Sequence, residues 1–167
     1  KRVRHALRVR SSRRPASSRS ERSADVSCEK VKRALARQPV SGRIVAGGAV
    51  RRADGAVIGS TAISLIGQFK VDYAIVGASA IDEEGALLDF DYREVQAAQA
   101  IIANARSVML VADSTKLRRS APVRIAHLSQ IQTFVTDAAL PAGIASICHS
   151  RGIEVIEAMP NPSVDID

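Results

Sequence analysis

Short apolar runs alternate with amphipathic stretches along most of this chain. Residues 72–76, 107–112, 133–137 and 152–156 are each rich in Val, Ile, Leu or Phe and bounded by small or polar residues, as buried strands are. The intervening segments carry helical periodicity. Ser60 is the expected N-cap of a helix over residues 60–68, with Ile63, Leu65, Ile66 and Phe69 giving apolar contacts. Asp91, followed three residues later by Glu94, opens a second helix to about residue 105, whose buried stripe is Val95, Ala98, Ile101, Ile102 and Ala105. Pro141 starts a third helix that Arg151-Gly152 closes as a glycine cap. Upstream, residues 31–38 suit a short helix, and residues 43–46 suit a strand running into Gly47-Gly48. Asp54-Gly55 and Glu84-Gly85 read as turns, the second within a loop, and residues 126–129 as a connecting turn. Strand–helix alternation of this kind predicts an α/β fold, a mainly parallel sheet with helices on both faces.

Composition sharpens this picture. Apolar residues make up 46% of the 167 and aromatics only 3%, with no Trp, so the core must be aliphatic, as in strands covered by helices. Charge divides the chain. Residues 1–40 carry 13 Lys/Arg against 3 Asp/Glu, whereas the remainder carries 11 against 14. Residues 1–30, dominated by Arg and Ser, are expected to be a disordered, basic low-complexity segment; residues 31–158 form the folded domain and residues 159–167 a tail. Cys28 and Cys148 are too few and too far apart for a disulfide framework or a zinc site, which fits a reducing cytoplasm. No apolar run approaches membrane-span length, and the basic start lacks the apolar core of a secretory signal. His127 and His149 have no partner at metal-ligand spacing, so no metal or cofactor is expected.

The chemistry-bearing residues sit where strands end. Ligands of open α/β sheets bind beyond the carboxyl ends of the strands. Here one strand stops at Gly77-Ala78-Ser79 and the next at Asp113-Ser114-Thr115-Lys116, a layout for an anionic, polar small ligand. Lys116 is placed to pair with a phosphate or polarise a carbonyl oxygen. Asp113 and Ser114 either serve that lysine and a ligand hydroxyl or bond their own turn. Glu94 either caps its helix or faces a ligand. Gly47, Gly48 and Gly77 permit close approach of a ligand to backbone, and are also ordinary turn residues. Asp82 is either a loop residue or a ligand contact.

In this order and spacing, Gly47-Gly48, Gly77-Ala78-Ser79-Ala80-Ile81-Asp82, Glu94, Asp113-Ser114-Thr115-Lys116 and Phe134-Val135-Thr136-Asp137 resemble the C-terminal effector-sensing domain of DeoR-family bacterial transcriptional repressors. The resemblance covers about residues 31–158. It implies a Rossmann-like fold shared with ribose-5-phosphate isomerase and glucosamine-6-phosphate deaminase. It further implies a non-catalytic, oligomeric sensor that binds a phosphorylated sugar or polyol, with glycerol-3-phosphate an expected case. The effector would lie against Gly47, Gly48, Gly77, Ala78, Ser79, Asp82, Glu94, Asp113, Ser114 and Lys116. Operator DNA would be read only through a winged helix-turn-helix, a pattern that residues 1–40 do not contain.

Three departures stand out. The Arg/Ser-rich stretch occupies the place of the family's Gly-Thr-Thr phosphate loop and Thr-Asn motif, as in a truncated or out-of-frame start. Ala80 stands where a glycine is common, and Leu117-Arg118 where an aromatic–glycine pair is common. Two other function classes compete. In an isomerase, Glu94 would be the base and Lys116 would stabilise an oxyanion, but those enzymes carry an acidic residue where this chain has Ser79. The basic segment alone could also contact nucleic-acid phosphates, non-specifically and with steep salt dependence.

Overall fold

Four parallel strands, all running the same way, set the frame. The computed structural model describes Ile44, Gly47, residues 49–50 and residues 57–158. The expected helix at 31–38, most of the strand at 43–46, Gly48, the Asp54-Gly55 turn, the basic segment 1–30 and the tail 159–167 lie outside the described residues. Within them, β1 (Ala49–Val50) and β2 (Val57–Ile58) make a short antiparallel pair. α1 (Ser60–Ile66) then leads into β3 (Val71–Val76). A hairpin follows, β4 (Ala80–Ile81) and β5 (Ala86–Asp89), before α2 (Tyr92–Ala103) returns the chain to β6 (Ala105–Val111). Beyond β6 come a 3-10 turn (Ser114–Arg118), β7 (Val123–His127) and a second 3-10 turn (Leu128–Gln130). β8 (Thr133–Thr136), α3 (Ala142–Arg151) and β9 (Glu154–Glu157) complete the order.

The main sheet has the order β3-β6-β8-β9, parallel at each junction. This is the expected mainly parallel α/β sheet, but among the described residues the helices share one core on one face rather than covering both. Each step moves to the next strand in the same direction. Right-handed crossovers therefore bring the connecting elements to one face. Register places Ala74 beside Val108, Val76 beside Leu110, and Leu110 beside Phe134, so these residues share that face. All five belong to the apolar core, together with Ile66 of α1, Val95, Ala98 and Ile101 of α2, Ile125 of β7, and Ile144 and Cys148 of α3. On the opposite face, Ile75, Met109 and Val135 are half-buried and Tyr73 is exposed.

Three expectations need correction. The stretch after Ser79 is a hairpin, and residues 123–127 are a strand; β4, β5 and β7 form a separate antiparallel sheet of three. β4 has only two residues, and in β7 Arg124 and His127 interrupt the apolar run, so pairing supplies what propensity does not. Ser60 is the first helical residue rather than the cap, since Gly59 holds that position at φ 104°. The end of α3 is as expected, with Gly152 left-handed at φ 65°. The structure adds that Lys70 Nζ donates to the Ala103 carbonyl at 3.1 Å, a cation on the carboxyl end of α2.

Gly85, at φ 88°, is the hairpin's tightest point. A Cβ there would lie 3.2 Å from Leu128 Cδ1 and 3.3 Å from both His127 Nε2 and Ile147 Cδ1. Its carbonyl accepts from Leu128 N–H at 2.8 Å, binding the hairpin to the second 3-10 turn. Gly85→Ala combines a disfavoured backbone with crowding. It should lower unfolding free energy by about 1–3 kcal/mol in urea titrations, whereas Gly143→Ala, which meets open space, should leave it unchanged or raised.

Candidate functional site

The carboxyl ends of β3, β6 and β8 lie side by side because the strands are parallel and neighbouring. α2 runs from the end of β5 back to the start of β6, so its amino end faces this same edge. The loops beyond the strands are tied across one another. Ala112 N–H donates to the Val135 carbonyl at 3.1 Å, and one step further Ser114 N–H donates to Asp137 Oδ1 at 2.7 Å. β4 packs against the Ser114–Arg118 turn, which brings the chain after Ser79 beside Lys116.

Buried polarity is concentrated here. Among the described residues, the buried polar side chains are Ser79, Asp89, Glu94 and Thr136, each at most 5% exposed. Ser79 follows β3, Asp89 ends β5, Glu94 lies in the first turn of α2, and Thr136 ends β8. Burying polar groups costs free energy unless they are satisfied, so their gathering at one edge of an aliphatic core marks that edge out. Thr136 Oγ1 has no hydrogen-bond partner among the described residues.

Lys116 is drawn into the same edge. Its side chain is only 12% exposed, and Nζ stands 3.8 Å from Asp113 Oδ2, itself on a side chain 15% exposed. Asp113 also caps its own turn, accepting from Thr115 N–H at 3.0 Å and from the Thr115 hydroxyl. The two readings of Asp113, turn chemistry and lysine partner, are thus both realised, one by each oxygen.

Asp89 escaped notice in the sequence. Oδ1 accepts from Phe90 N–H at 2.6 Å and from Asp91 N–H at 3.4 Å. Burial pushes its carboxyl above the ordinary range, against the opposing pull of those amides and of the Ser79 hydroxyl, while nearby Asp91 adds to the rise. The only signal in sequence was a carboxylate closing an apolar run.

The expected residues are not all alike. Gly77, Ala78, Ser79, Glu94, Asp113, Ser114 and Lys116 all lie on the elements that meet at this edge. Asp82 sits at the hairpin turn, where Oδ1 accepts from Ala86 N–H at 2.7 Å and Glu84 N–H at 3.1 Å. Gly47 is exposed, with open space where a Cβ would be. Gly48 is outside the described residues. His127 is structural: Nδ1 accepts from Ser129 N–H at 3.0 Å and Nε2 meets the Glu84 carbonyl at 2.8 Å. Cys148 is buried in the core, where desolvation raises its thiol. Among the described residues no helix is long and apolar enough to cross a membrane, and no acidic, His or Cys cluster could hold a metal ion.

Most of the chain, this edge included, falls within a match to known proteins. The DeoR C-terminal sensor domain matches residues 27–138. This chain belongs to the DeoR sensor-domain family. The domain is a regulatory sensor and not an enzyme. Over 112 residues the chain is 41% identical to the glycerol-3-phosphate regulon repressor of Escherichia coli, covering 67% of this chain and 44% of that protein. The repressor of the same name from Haemophilus influenzae is 45% identical over 122 residues, 73% of this chain and 48% of that one. An HTH-type transcriptional repressor of Escherichia coli is 36% identical over 113 residues, 68% of this chain and 43% of its own length. The chain thus spans about half the length of these relatives.

The raised carboxyl of Asp89 gives the DeoR-type sensor a pH signature. Because the folded state holds this proton more tightly than the unfolded chain, the associated stability is present below the ordinary carboxylate range. It is lost as pH rises through the raised value. Asp89→Asn preserves an acceptor for Phe90 N–H but cannot titrate. The stability of this variant relative to the parent should therefore increase with pH above about 4 and then level off, read from urea midpoints across a pH series. Parallel curves would show that Asp89 does not titrate in this way.

Proposed function

We propose that the edge formed by Ser79, Glu94, Asp113, Ser114 and Lys116 is the effector pocket of a DeoR-type repressor's sensor. Its ligand class is a phosphorylated sugar or polyol. Glycerol-3-phosphate is the first candidate, since two relatives above 40% identity are named for that regulon. The observation that carries this reading is the lysine. A side chain that normally extends into water is held 12% exposed, beside four buried polar residues, at the edge where α/β sheets bind ligands. Its ammonium suits a phosphate, and the surrounding carboxylates and hydroxyls suit the hydroxyls of a polyol. Gly77 and Ala78 keep the exit of β3 small enough for a ligand to approach, and Asp82 supports the hairpin that carries Ser79.

Regulation needs no chemistry here. An effector that binds one conformation of an oligomer more tightly than another shifts the population, and DNA affinity follows. In this reading the sensor works in the cytoplasm, as a homo-oligomer, and DNA is gripped by a helix-turn-helix outside this chain.

Glycerol-3-phosphate titrated into the 167-residue chain should perturb the backbone amide resonances of Ser79, Glu94 and Ser114, with glycerol and inorganic phosphate as weaker controls. Lys116→Ala should weaken that response about tenfold, the usual loss for a charge-assisted contact, while leaving the melting temperature little changed. Perturbations confined to the amino ends of β3, β6 and β8 would sink the assignment.

A further inference from the structure

Asp137 closes the β8 motif, yet neither turn chemistry of its own nor a ligand contact accounts for where its carboxylate goes. The β6–β8 ladder reaches one residue beyond the strands, to the bond from Ala112 N–H to the Val135 carbonyl. From there the chain turns into the Ser114–Arg118 3-10 segment, which presents Lys116. At the first residue of that segment, Ser114 N–H donates to Asp137 Oδ1 at 2.7 Å, a short charge-assisted bond from one strand end to the next. Asp113, one residue earlier, is extended at φ −73° and ψ 159°, with one oxygen on Thr115 and the other 3.8 Å from Lys116 Nζ.

We propose that Asp137 is a positioning residue for Lys116, acting through the Ser114 amide to fix the angle at which the Asp113–Lys116 turn leaves the sheet. The carboxylate reaches the turn's backbone, so what it sets is geometry. The peptide units between Ser114 N and Lys116 Cα are planar, and the 3-10 hydrogen bond from Lys116 N–H to the Asp113 carbonyl, 3.0 Å, ties the few soft torsions between them into one turn. Holding the first residue therefore holds the lysine. The consequence for effector binding rests on the pocket reading above, whereas the positioning itself can be measured with no effector present.

The experiment uses the 167-residue chain and acylation by an activated acetate ester, with the rate at Lys116 measured by peptide mass spectrometry relative to exposed Lys70. Asp137→Ala should raise the Lys116:Lys70 ratio about tenfold, and Asp137→Asn, which keeps an oxygen acceptor for Ser114 N–H, should stay within about threefold of the parent. Ser114→Pro is the second route. It deletes the N–H while leaving both carboxylates in place, and proline is tolerated at the first position of a helical turn after an extended residue. It should match Asp137→Ala, and it decides the matter if Asp137→Ala does not fold. An unchanged ratio in Asp137→Ala or Ser114→Pro overturns the proposal, as does an Asn variant as reactive as the Ala variant, which would make charge rather than geometry the cause. Glycerol-3-phosphate affinity separates the two readings. If Lys116→Ala leaves it intact the pocket reading fails while the labelling result stands. If Lys116→Ala weakens it but Asp137→Ala does not, positioning has no consequence for the site and the inference fails alone.

Discussion

Parallel pairing is the constraint on which the rest of this structure depends. A parallel ladder joins strands that cannot be connected by tight turns, so each connection must cross over, and the twist of the strands makes the crossover right-handed. In this chain the moves β3 to β6, β6 to β8 and β8 to β9 all go the same way. Their connections consequently gather on one face, where Ala74, Val76, Val108, Leu110 and Phe134 meet α2 and α3. The same geometry brings three strand ends to one edge, and it leaves backbone groups there that no further strand pairs. Polar side chains at that edge, Asp137 on Ser114 N–H and Asp89 on Phe90 N–H, take over the bonding that the ladder gives up.

Polarity within this domain is divided by task. Asp82 and His127 use their heteroatoms on backbone groups of the hairpin and of the second 3-10 turn, bonding the hairpin to the segment that follows β7. Gln132 does the equivalent at the start of β8, its Oε1 accepting from Val108 N–H at 2.7 Å. The cross-strand pair Arg106–Asp72, at 2.9 Å, sits in water at the amino edge of the main sheet and contributes little. At the carboxyl edge the pattern changes: Ser79, Asp89, Glu94 and Thr136 are buried, and a lysine is folded in beside them. A group of that composition is costly as mere architecture. The effector pocket proposed above would account for that cost, since polar groups preformed for a ligand are satisfied when it binds.

Much of this was legible in the chain. The strands at 71–76, 105–111 and 133–136 are β-branched runs long enough to stand out, and α2 has both a cap in Asp91 and a regular stripe in Val95, Ala98 and Ile101. The hairpin β4–β5 and strand β7 were not legible, because a strand of two residues has no period to read and β7 owes its extension to pairing with β5. Ser60 was misread as a cap for a related reason. Its hydroxyl satisfies the preference, but Gly59 alone tolerates φ 104° at the entry. Among the candidate site residues, Asp113, Ser114 and Lys116 were readable from their place after a buried strand. Asp89 and Asp137 were not, since nothing local distinguishes a carboxylate that bonds a distant or neighbouring amide from one that faces water.

Local patterning by itself determined the class of fold, the succession of the main strands and helices, and which strand ends carry polar and charged residues, because each of these follows from side-chain periodicity and turn preference over a few residues. Only the tertiary structure decided which strand lies beside which, that β4 packs on the Lys116 turn, and that Asp137 reaches Ser114 across 23 positions of sequence. Those facts depend on strand order and crossover hand, which arise when the chain closes on itself, and a buried carboxylate acquires its environment only at that moment.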